Sequence, residues 1–374
     1  MSNYLAVRVI AIFLGLMIPA QAMATEFAIV GPRAAGMGGA GVAVTTDSLA
    51  TYWNPAGLAM AQTVDIRAQV SAQGIDRLGM LKTLEDIESL DKTSIANQGR
   101  AQELANRINQ SGTSLSAIGA AGLYFKGHLG EHAIGFNVSD VATAGAYLSR
   151  SVTVNLGSPI PVDGQMAFRG LEARQAAFSY AYAFEDKTFA IGITGKLIQG
   201  AAYTGTATID GNGIKLSDNL GKSNLSTTYG VDVGGIYRPS SWLRFGVVAK
   251  DLNQPEFDAP DGTKFKLVPQ VRGGIAINPY SSLTLTGDVD VTSNKTLVPG
   301  QKSQMLSLGA EQTMLSEFLS LRVGAFKNMQ DAASPITPTA GLGLRLFAFR
   351  ADVGGGYDFR EQGALVSGSL SLTF

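Results

Sequence analysis

Leu283-Thr-Leu-Thr-Gly-Asp-Val-Asp-Val-Thr292 alternates apolar and polar side chains almost without a break. In an extended chain successive side chains point to opposite faces. This stretch therefore presents Leu283, Leu285, Val289 and Val291 on one side and Thr284, Thr286, Asp288, Asp290 and Thr292 on the other. The same period recurs along the chain. Phe189, Ile191, Ile193 and Leu197 interleave with Thr188, Thr194 and Lys196, and Leu370, Leu372 and Phe374 with Ser369, Ser371 and Thr373. Placing every such run gives about fourteen strands, at 63–74, 113–125, 131–156, 164–185, 187–203, 225–238, 241–251, 267–278, 280–292, 303–314, 316–327, 337–347, 348–358 and 363–374.

A soluble sandwich would alternate in the same way, so the connections decide. Those after even-numbered strands are short: 126–130, Asp186, Pro239-Ser240, Pro279-Tyr280, Leu315, and nearly none at Phe347. Most of those after odd-numbered strands are long: 73–112, 204–224, 252–266, 293–302 and 328–336. Short turns on one rim and long loops on the other mark an outer-membrane barrel. In hydrocarbon every backbone N–H and C=O must be paired, which requires a closed sheet.

Aromatic residues agree with that reading. Tyr124, Phe125, Phe184, Phe189, Tyr237, Trp242, Tyr280, Phe318, Phe347 and Phe374 sit beside the short turns, as an interfacial girdle would, and Tyr203, Phe326, Tyr357 and Phe359 lie near the long loops. If Leu285 faces lipid, Leu285→Arg costs roughly 2–4 kcal/mol near the midplane, and Thr286→Arg, into a wet lumen, is mild.

The composition narrows the function. The 374 residues are 45% hydrophobic and 16% charged, with a net charge of −1 and no cysteine. Nucleic acid, which needs a basic surface, is excluded as a partner, and so are disulfides and thiol chemistry. Arg8, the apolar run Val9–Ile18 and Pro19-Ala-Gln-Ala-Met-Ala24 read as a cleaved secretory signal over residues 1–24. The apolar run is too short for a membrane anchor.

Between residues 75 and 112 the period becomes helical. Leu78, Leu81, Leu84, Ile87 and Leu90 recur every third residue, and Ala101, Leu104, Ala105 and Ile108 follow. This pair of helices belongs on the extracellular rim. Leu78, Leu81, Leu84, Leu104 and Ile108 either line an apolar entrance or form the seam of a hairpin that covers the mouth.

No catalytic or metal constellation emerges. Gly36-Met-Gly38-Gly-Ala-Gly41 satisfies GxGxxG literally but lacks the preceding buried strand of a dinucleotide site. His128 and His132 flank a short turn, which gives neither zinc geometry nor the outer-leaflet position of a barrel lipase. We expect no enzyme activity, no metal and no cofactor. Charges on the polar register (Lys196, Asp232, Arg244, Lys250, Arg272, Asp288, Asp290, Glu311, Arg322, Arg345, Arg350 and Asp352) belong in the lumen. There they pair across strands, hold an N-terminal segment, or orient an amphiphile's carboxylate.

Residues 25–62 are too poor in large apolar side chains to fold alone, so something larger must surround them. Their sequence, Gly31-Pro-Arg-Ala-Ala-Gly-Met-Gly-Gly-Ala-Gly41 followed by Ala50-Thr-Tyr-Trp-Asn-Pro-Ala-Gly-Leu58, resembles the N-terminal hatch of the FadL-type outer-membrane proteins. That superfamily holds fatty-acid and aromatic-hydrocarbon transporters and secretion-linked PorV-like members. The helical insert and compact length look most like its conjugal-transfer TraF-like branch. The resemblance implies an all-β, fourteen-stranded antiparallel barrel over 63–374 with the hatch in its lumen. It places the hatch motif on Gly36, Gly38, Gly39, Gly41, Asn54, Pro55 and Ala56. It also implies lateral exit of ligand where the third strand kinks, here Ser139, Asp140, Ala142 and Gly145, where alternation weakens.

Two functions follow from the resemblance: passive uptake of hydrophobic small molecules of the fatty-acid or hydrocarbon class, or a non-transporting accessory of conjugation or secretion. The expected partners are outer-membrane lipid and lipopolysaccharide, the barrel-assembly machinery through C-terminal Phe374, and, for the accessory role, secretion or conjugation components.

Overall fold

The computed structural model describes residues 27–374 apart from 158, 211–212, 217–220, 224, 261, 263, 332–333 and 361. The secretory signal expected at 1–24 lies outside the described residues. Fourteen strands form the wall: β1 Asp65–Arg77, β2 Ser114–Leu129, β3 His132–Val154, β4 Val162–Phe184, β5 Phe189–Asp210, β6 Ser226–Ser240 and β7 Leu243–Lys250, then β8 Gln270–Tyr280, β9 Leu283–Asp290, β10 Met305–Met314, β11 Leu319–Asn328, β12 Thr337–Leu346, β13 Phe349–Asp358 and β14 Gly363–Thr373. Each pairs antiparallel with its neighbours in sequence. β14 returns to β1 in register from Asp65↔Thr373 to Gly74↔Ala364, which closes the barrel.

The alternation read from sequence is the alternation of the wall. Ile66, Val70, Leu123, Phe136, Ile193, Leu285, Val323, Leu344 and Leu370 are exposed on the outer face. Arg67, Gln69, Lys196, Asp288, Glu311, Arg322 and Asp352 are buried in the lumen. Phe184, Phe189, Tyr237, Trp242, Tyr280, Phe318, Phe347 and Phe374 are exposed beside the short turns, an aromatic girdle at the headgroup boundary. Two aromatic residues depart from the expectation. Tyr124 lies on the inward register of β2, 2% exposed beside Gln69, and Phe326 turns inward on β11 to pack with Val30 and Leu365. Proximity to a rim does not decide the face; the parity of the strand does.

β3, β4 and β5 span 23, 23 and 22 residues, about twice what a bilayer crossing needs, and rise beyond the other strands on the long-loop side. The helical insert consists of α3 Met80–Ser89 and α4 Gln98–Ile108 (α1 and α2 belong to the N-terminal segment below). Met80, Leu84, Ile87, Leu104 and Ile108 bury against Ala146, Val152, Val162, Met166, Ala207 and Ile209 of those extended strands. Ala146, Met166, Ala207 and Ile209 have the outward parity, so the insert packs on the outer side of the extension. The mouth is covered from within by the loop between β7 and β8. Its hairpin, Glu256–Asp258 with Lys264–Lys266, buries Phe257 and Phe265 against Leu171, Ile198 and Ala202. Lys266 and Lys264 both pair with Glu256 on its outer surface, and the Lys266 hydrogen bond holds that carboxyl below its usual range.

Candidate functional site: an internal plug and its seat

Residues 27–60 fill the lumen. Their regular pieces are short: α1 Pro32–Gly36, α2 Ala50–Trp53 and a 3-10 helix over Pro55–Met60. Pro32 and Pro55 occupy first helical positions, where the missing N–H costs nothing. Asn54 caps the second start by accepting from the Ala56 amide at 3.1 Å.

Glycine lets the plug touch the wall. A side chain on Gly36 would meet Gly341 Cα at 2.9 Å, and one on Gly41 would enter the Trp53 ring at 2.4 Å. Gly38, with φ 67°, sits against the carbonyls of Leu308 and Ala325, and Gly39 lies against Ile29. The wall answers with glycines of its own on the inward register. Gly192 faces Pro55, Gly234 faces Asn54, Gly246 faces Val42, and Gly309 and Gly324 face Met37. These positions were missed in the sequence. The signal was there: glycine recurs on the polar register of β5, β6, β7, β10 and β11, where a wet lumen would carry polar side chains.

Polar bonds then fix the plug. Arg33 donates to Glu311 through Nε at 3.0 and 3.1 Å and through Nη2 at 2.6 Å. Arg322, itself 0% exposed, shares Glu311 at 2.6 Å and approaches Asp352 at 2.8 Å. Asp288 Oδ2 accepts from the amides of Gly41 and Val42 at 2.7 and 2.9 Å. Asn54 Nδ2 donates to Val42 and, across to the wall, to Gly235 O, both at 3.1 Å. Arg67 bonds Asp47 at 2.9 Å, and Lys126 Nζ donates to Thr46 O and Ala61 O at 2.7 Å. Part of the lumen charge thus holds the N-terminal segment, while Lys196 with Asp232 and Asp251, and Arg272 with Asp290, pair among strands and loops of the wall. Isolated, each ion would be costly to bury; paired and hydrogen-bonded, it locks one geometry.

An aromatic trio crowns the plug on the long-loop side. Phe27, Tyr52 and Trp53 pack edge-to-face and tilted at 5.3–5.8 Å between centroids. Trp53 Nε1 donates to Val30 O at 2.8 Å, and Tyr52 to Ala28 O at 2.9 Å. Lys250 lies over Tyr52 at 3.4 Å and Phe27 at 4.5 Å, and Arg272 over Phe27 at 4.1 Å. Above the trio a cavity of about 60 Å³ is lined by Lys196, Lys250, Leu171 and Ile198. Toward β14 a second, of about 80 Å³, is lined by Arg77, Lys302, Asp331 and Asp358.

Two sets of expected residues stand elsewhere than the sequence suggested. β3 is continuously paired with β2 from His132 to Tyr147 and with β4 from His132 to Leu148. The expected kink at Ser139, Asp140, Ala142 and Gly145 is absent, and the wall has no gap there. Ser139 points inward and accepts from Gln175, Gly145 faces Val298, and Asp140 and Ala142 point outward. Irregularities occur higher, between Leu148 and Thr153, in the extension. Alternation weakens over 139–145 because small residues occupy both faces, while pairing with both neighbours continues. Nor do the insert residues line an entrance. Leu84, Leu104 and Ile108 are sealed in a packed seam, Leu81 is exposed to solvent, and Leu78 turns the chain with φ 59°. The insert is a hairpin packed on the outer side of the extended strands, and it neither lines an entrance nor covers the mouth.

A closed fourteen-stranded barrel with an apolar outer face, one rim of short turns and its own N-terminal segment packed inside is the architecture of a transmembrane β-barrel with an internal plug. The sequence profile of the family described as "F plasmid transfer operon, TraF, protein" matches residues 51–290, and the chain belongs to that family. No curated protein matches it in sequence. Solved structures share the fold at low identity. The toluene transporter TbuX of Ralstonia pickettii superimposes with a TM-score of 0.57 at 14% identity, covering 92% of this chain and 97% of that one. The P. putida toluene transporter TodX gives 0.52 at 12%, covering 92% and 97%. The monoaromatic hydrocarbon channel CymD gives 0.52 at 14%, covering 94% and 98%.

Proposed function

We propose that the chain carries small hydrophobic molecules inward across the outer membrane, and that the geometry described above is its closed state. One observation supports this most: over 92–94% of its length the chain shares the fold of solved barrels described as a toluene transporter and a monoaromatic hydrocarbon channel. The unbroken pairing of β3 shifts the route. With no seam along β3, the route runs through the lumen, where a ligand passes only if the plug moves. The plug is held by reversible ion pairs and hydrogen bonds and by close glycine contacts, and nothing covalent joins it to the wall beyond its link to β1.

The chain has no cysteine, so an introduced pair reports cleanly. Asn137 Nδ2 donates to Thr51 Oγ1 at 3.0 Å, so these two side chains meet across the boundary of plug and β3. In Thr51→Cys/Asn137→Cys, oxidation should stop uptake of labelled toluene and reduction should restore it. Unchanged uptake in the oxidised barrel would overturn the moving plug.

A second reading, an accessory of conjugal transfer, is favoured by the family match and by the small cavities left in the lumen. Under it, deletion lowers mating frequency while toluene uptake stays unchanged.

A further inference from the structure

The described chain begins at Phe27, buried in the lumen on the long-loop side. Lys250, which ends β7 at that rim, lies over its ring at 4.5 Å, and Arg272 of β8 at 4.1 Å. From there residues 27–30 run into the plug, with Tyr52 donating to Ala28 O and Trp53 to Val30 O. Whatever precedes Phe27 starts among these cations, because consecutive Cα atoms are only ~3.8 Å apart.

The polar groups there are incompletely used. Lys196 pairs with Asp232 and Asp251 at 2.7 and 2.5 Å, and Arg272 with Asp290 at 2.5 Å. Lys250 is 7% exposed, and among the described residues no carboxylate or other acceptor bonds it. Its neighbours are the ring faces of Tyr52 and Phe27. The Thr143 hydroxyl is likewise buried without a partner. Both line the cavity of about 60 Å³ over the aromatic trio, with Ala28, Leu171, Ile198 and Asp251. That space is too small for a toluene-sized molecule, since an apolar cavity that takes benzene measures about 150 Å³. It is room for one carboxyl group, roughly two water volumes.

We propose that the occupant is the mature N-terminus of this chain. Cleavage after Ala24 leaves Thr25-Glu26-Phe27. The Glu26 carboxylate enters the cavity to take Lys250 and Thr143, and the new α-ammonium turns to Asp251. Glu26 is the first acidic residue of the sequence and stands one position before Phe27. Charge selects the processed chain. Lys196, Lys250 and Arg272 stand against Asp232, Asp251 and Asp290, three and three, so a carboxylate added alone leaves a buried excess of one. A free amino group brought with it keeps the sum at zero; an uncut signal, in which the Thr25 nitrogen is an amide, does not. A small free anion fails the same count, and a neutral hydrocarbon leaves Lys250 and Thr143 unmet. The plug thus seats only after the signal is removed, whichever of the two functions the barrel serves.

The test uses the full barrel purified from outer membranes in detergent, with acetic anhydride at neutral pH as the amine probe and peptide mass spectrometry as the readout. The intact mass should show a chain beginning at Thr25. Acetylation of that amine should be at least about tenfold slower in the folded barrel than in the heat-unfolded one, as for a group released only by local opening. Exposed Lys264 should react at similar rates in both. Glu26→Gln, which alters no residue of the wall, should remove most of the protection, and Lys250→Met should do the same. If Lys250→Met fails to assemble, Glu26→Gln alone decides. An N-terminal amine that reacts as fast folded as unfolded would overturn the proposal and leave the cavity to solvent. So would a chain that begins elsewhere, or protection that survives Glu26→Gln.

Discussion

Arg33 on the plug and Glu311 on β10 are joined by three hydrogen bonds of 2.6–3.1 Å across 278 residues of chain. Glu311 also takes Arg322 at 2.6 Å. One carboxylate therefore serves two guanidiniums, and removing it leaves both in a low-dielectric lumen. Glu311→Ala should cost about 3–5 kcal/mol, seen as a lower melting temperature and a looser plug that admits large antibiotics. Unchanged drug sensitivity together with unchanged melting would mean that the pair does not hold the plug.

The Trp53 indole separates packing from polarity. Trp53→Phe keeps most of the ring and loses the bond to Val30 O, for about 1 kcal/mol. Trp53→Ala empties the site and should cost about 3–5 kcal/mol. Calorimetry of the detergent-solubilised barrel should rank them in that order, and equal losses would contradict the ring's role as packing.

Glycines of β5 make a matched pair. A Cβ at Gly192 would lie 2.4 Å from the Pro55 carbonyl carbon, whereas at Gly195, on the outer face, it meets nothing within 4 Å. Gly192→Ala should displace the plug and raise permeability to bulky solutes. Gly195→Ala should behave as wild type. Equal permeability of the two would place the plug elsewhere.

The outer register predicts that Leu285→Arg costs about 2–4 kcal/mol near the midplane. Thr286→Arg, expected from sequence to be mild, should cost at least as much, because Thr286 is 6% exposed and donates to Ile275 O in a filled lumen. Expression and heat-modifiability of both variants measure this. A benign Thr286→Arg would mean that the lumen is wet at that depth.

The wall was legible because period-two patterning and loop length are local properties of the chain. Strand ends shifted by a few residues, and β5 runs to Asp210, beyond the 203 read from sequence. What was not legible depends on faces meeting. Tyr124 and Phe326 were assigned by distance from a rim, although parity sends them inward. Leu104 and Ile108 gave a helical stripe, but no stripe says whether its partner is a ligand or, as here, Val152 and Met166. The weakened alternation at 139–145 reads as a bend, yet pairing with β2 and β4 runs through it without a register shift. The plug motif announced that small residues were needed, but not which wall glycines would receive them.

Asp65 opens the first strand, and two partners from opposite ends of the chain converge on it. Its Oδ1 takes the Ser48 amide at 3.1 Å and the Ser48 hydroxyl, while its Oδ2 takes Thr373 Oγ1 at 2.6 Å. Ser48 belongs to the plug, and Thr373 ends the strand that completes the ring. Arg67, two residues along the same strand, reaches Oδ1 and Oδ2 at 3.4 and 3.5 Å, so until the last strand is made the second oxygen has only that long contact. Sealing the ring and seating the plug thus meet on one side chain, and a barrel that closed empty would lose both Ser48 bonds to this buried acid and leave its Oδ1 only the long contact to Arg67.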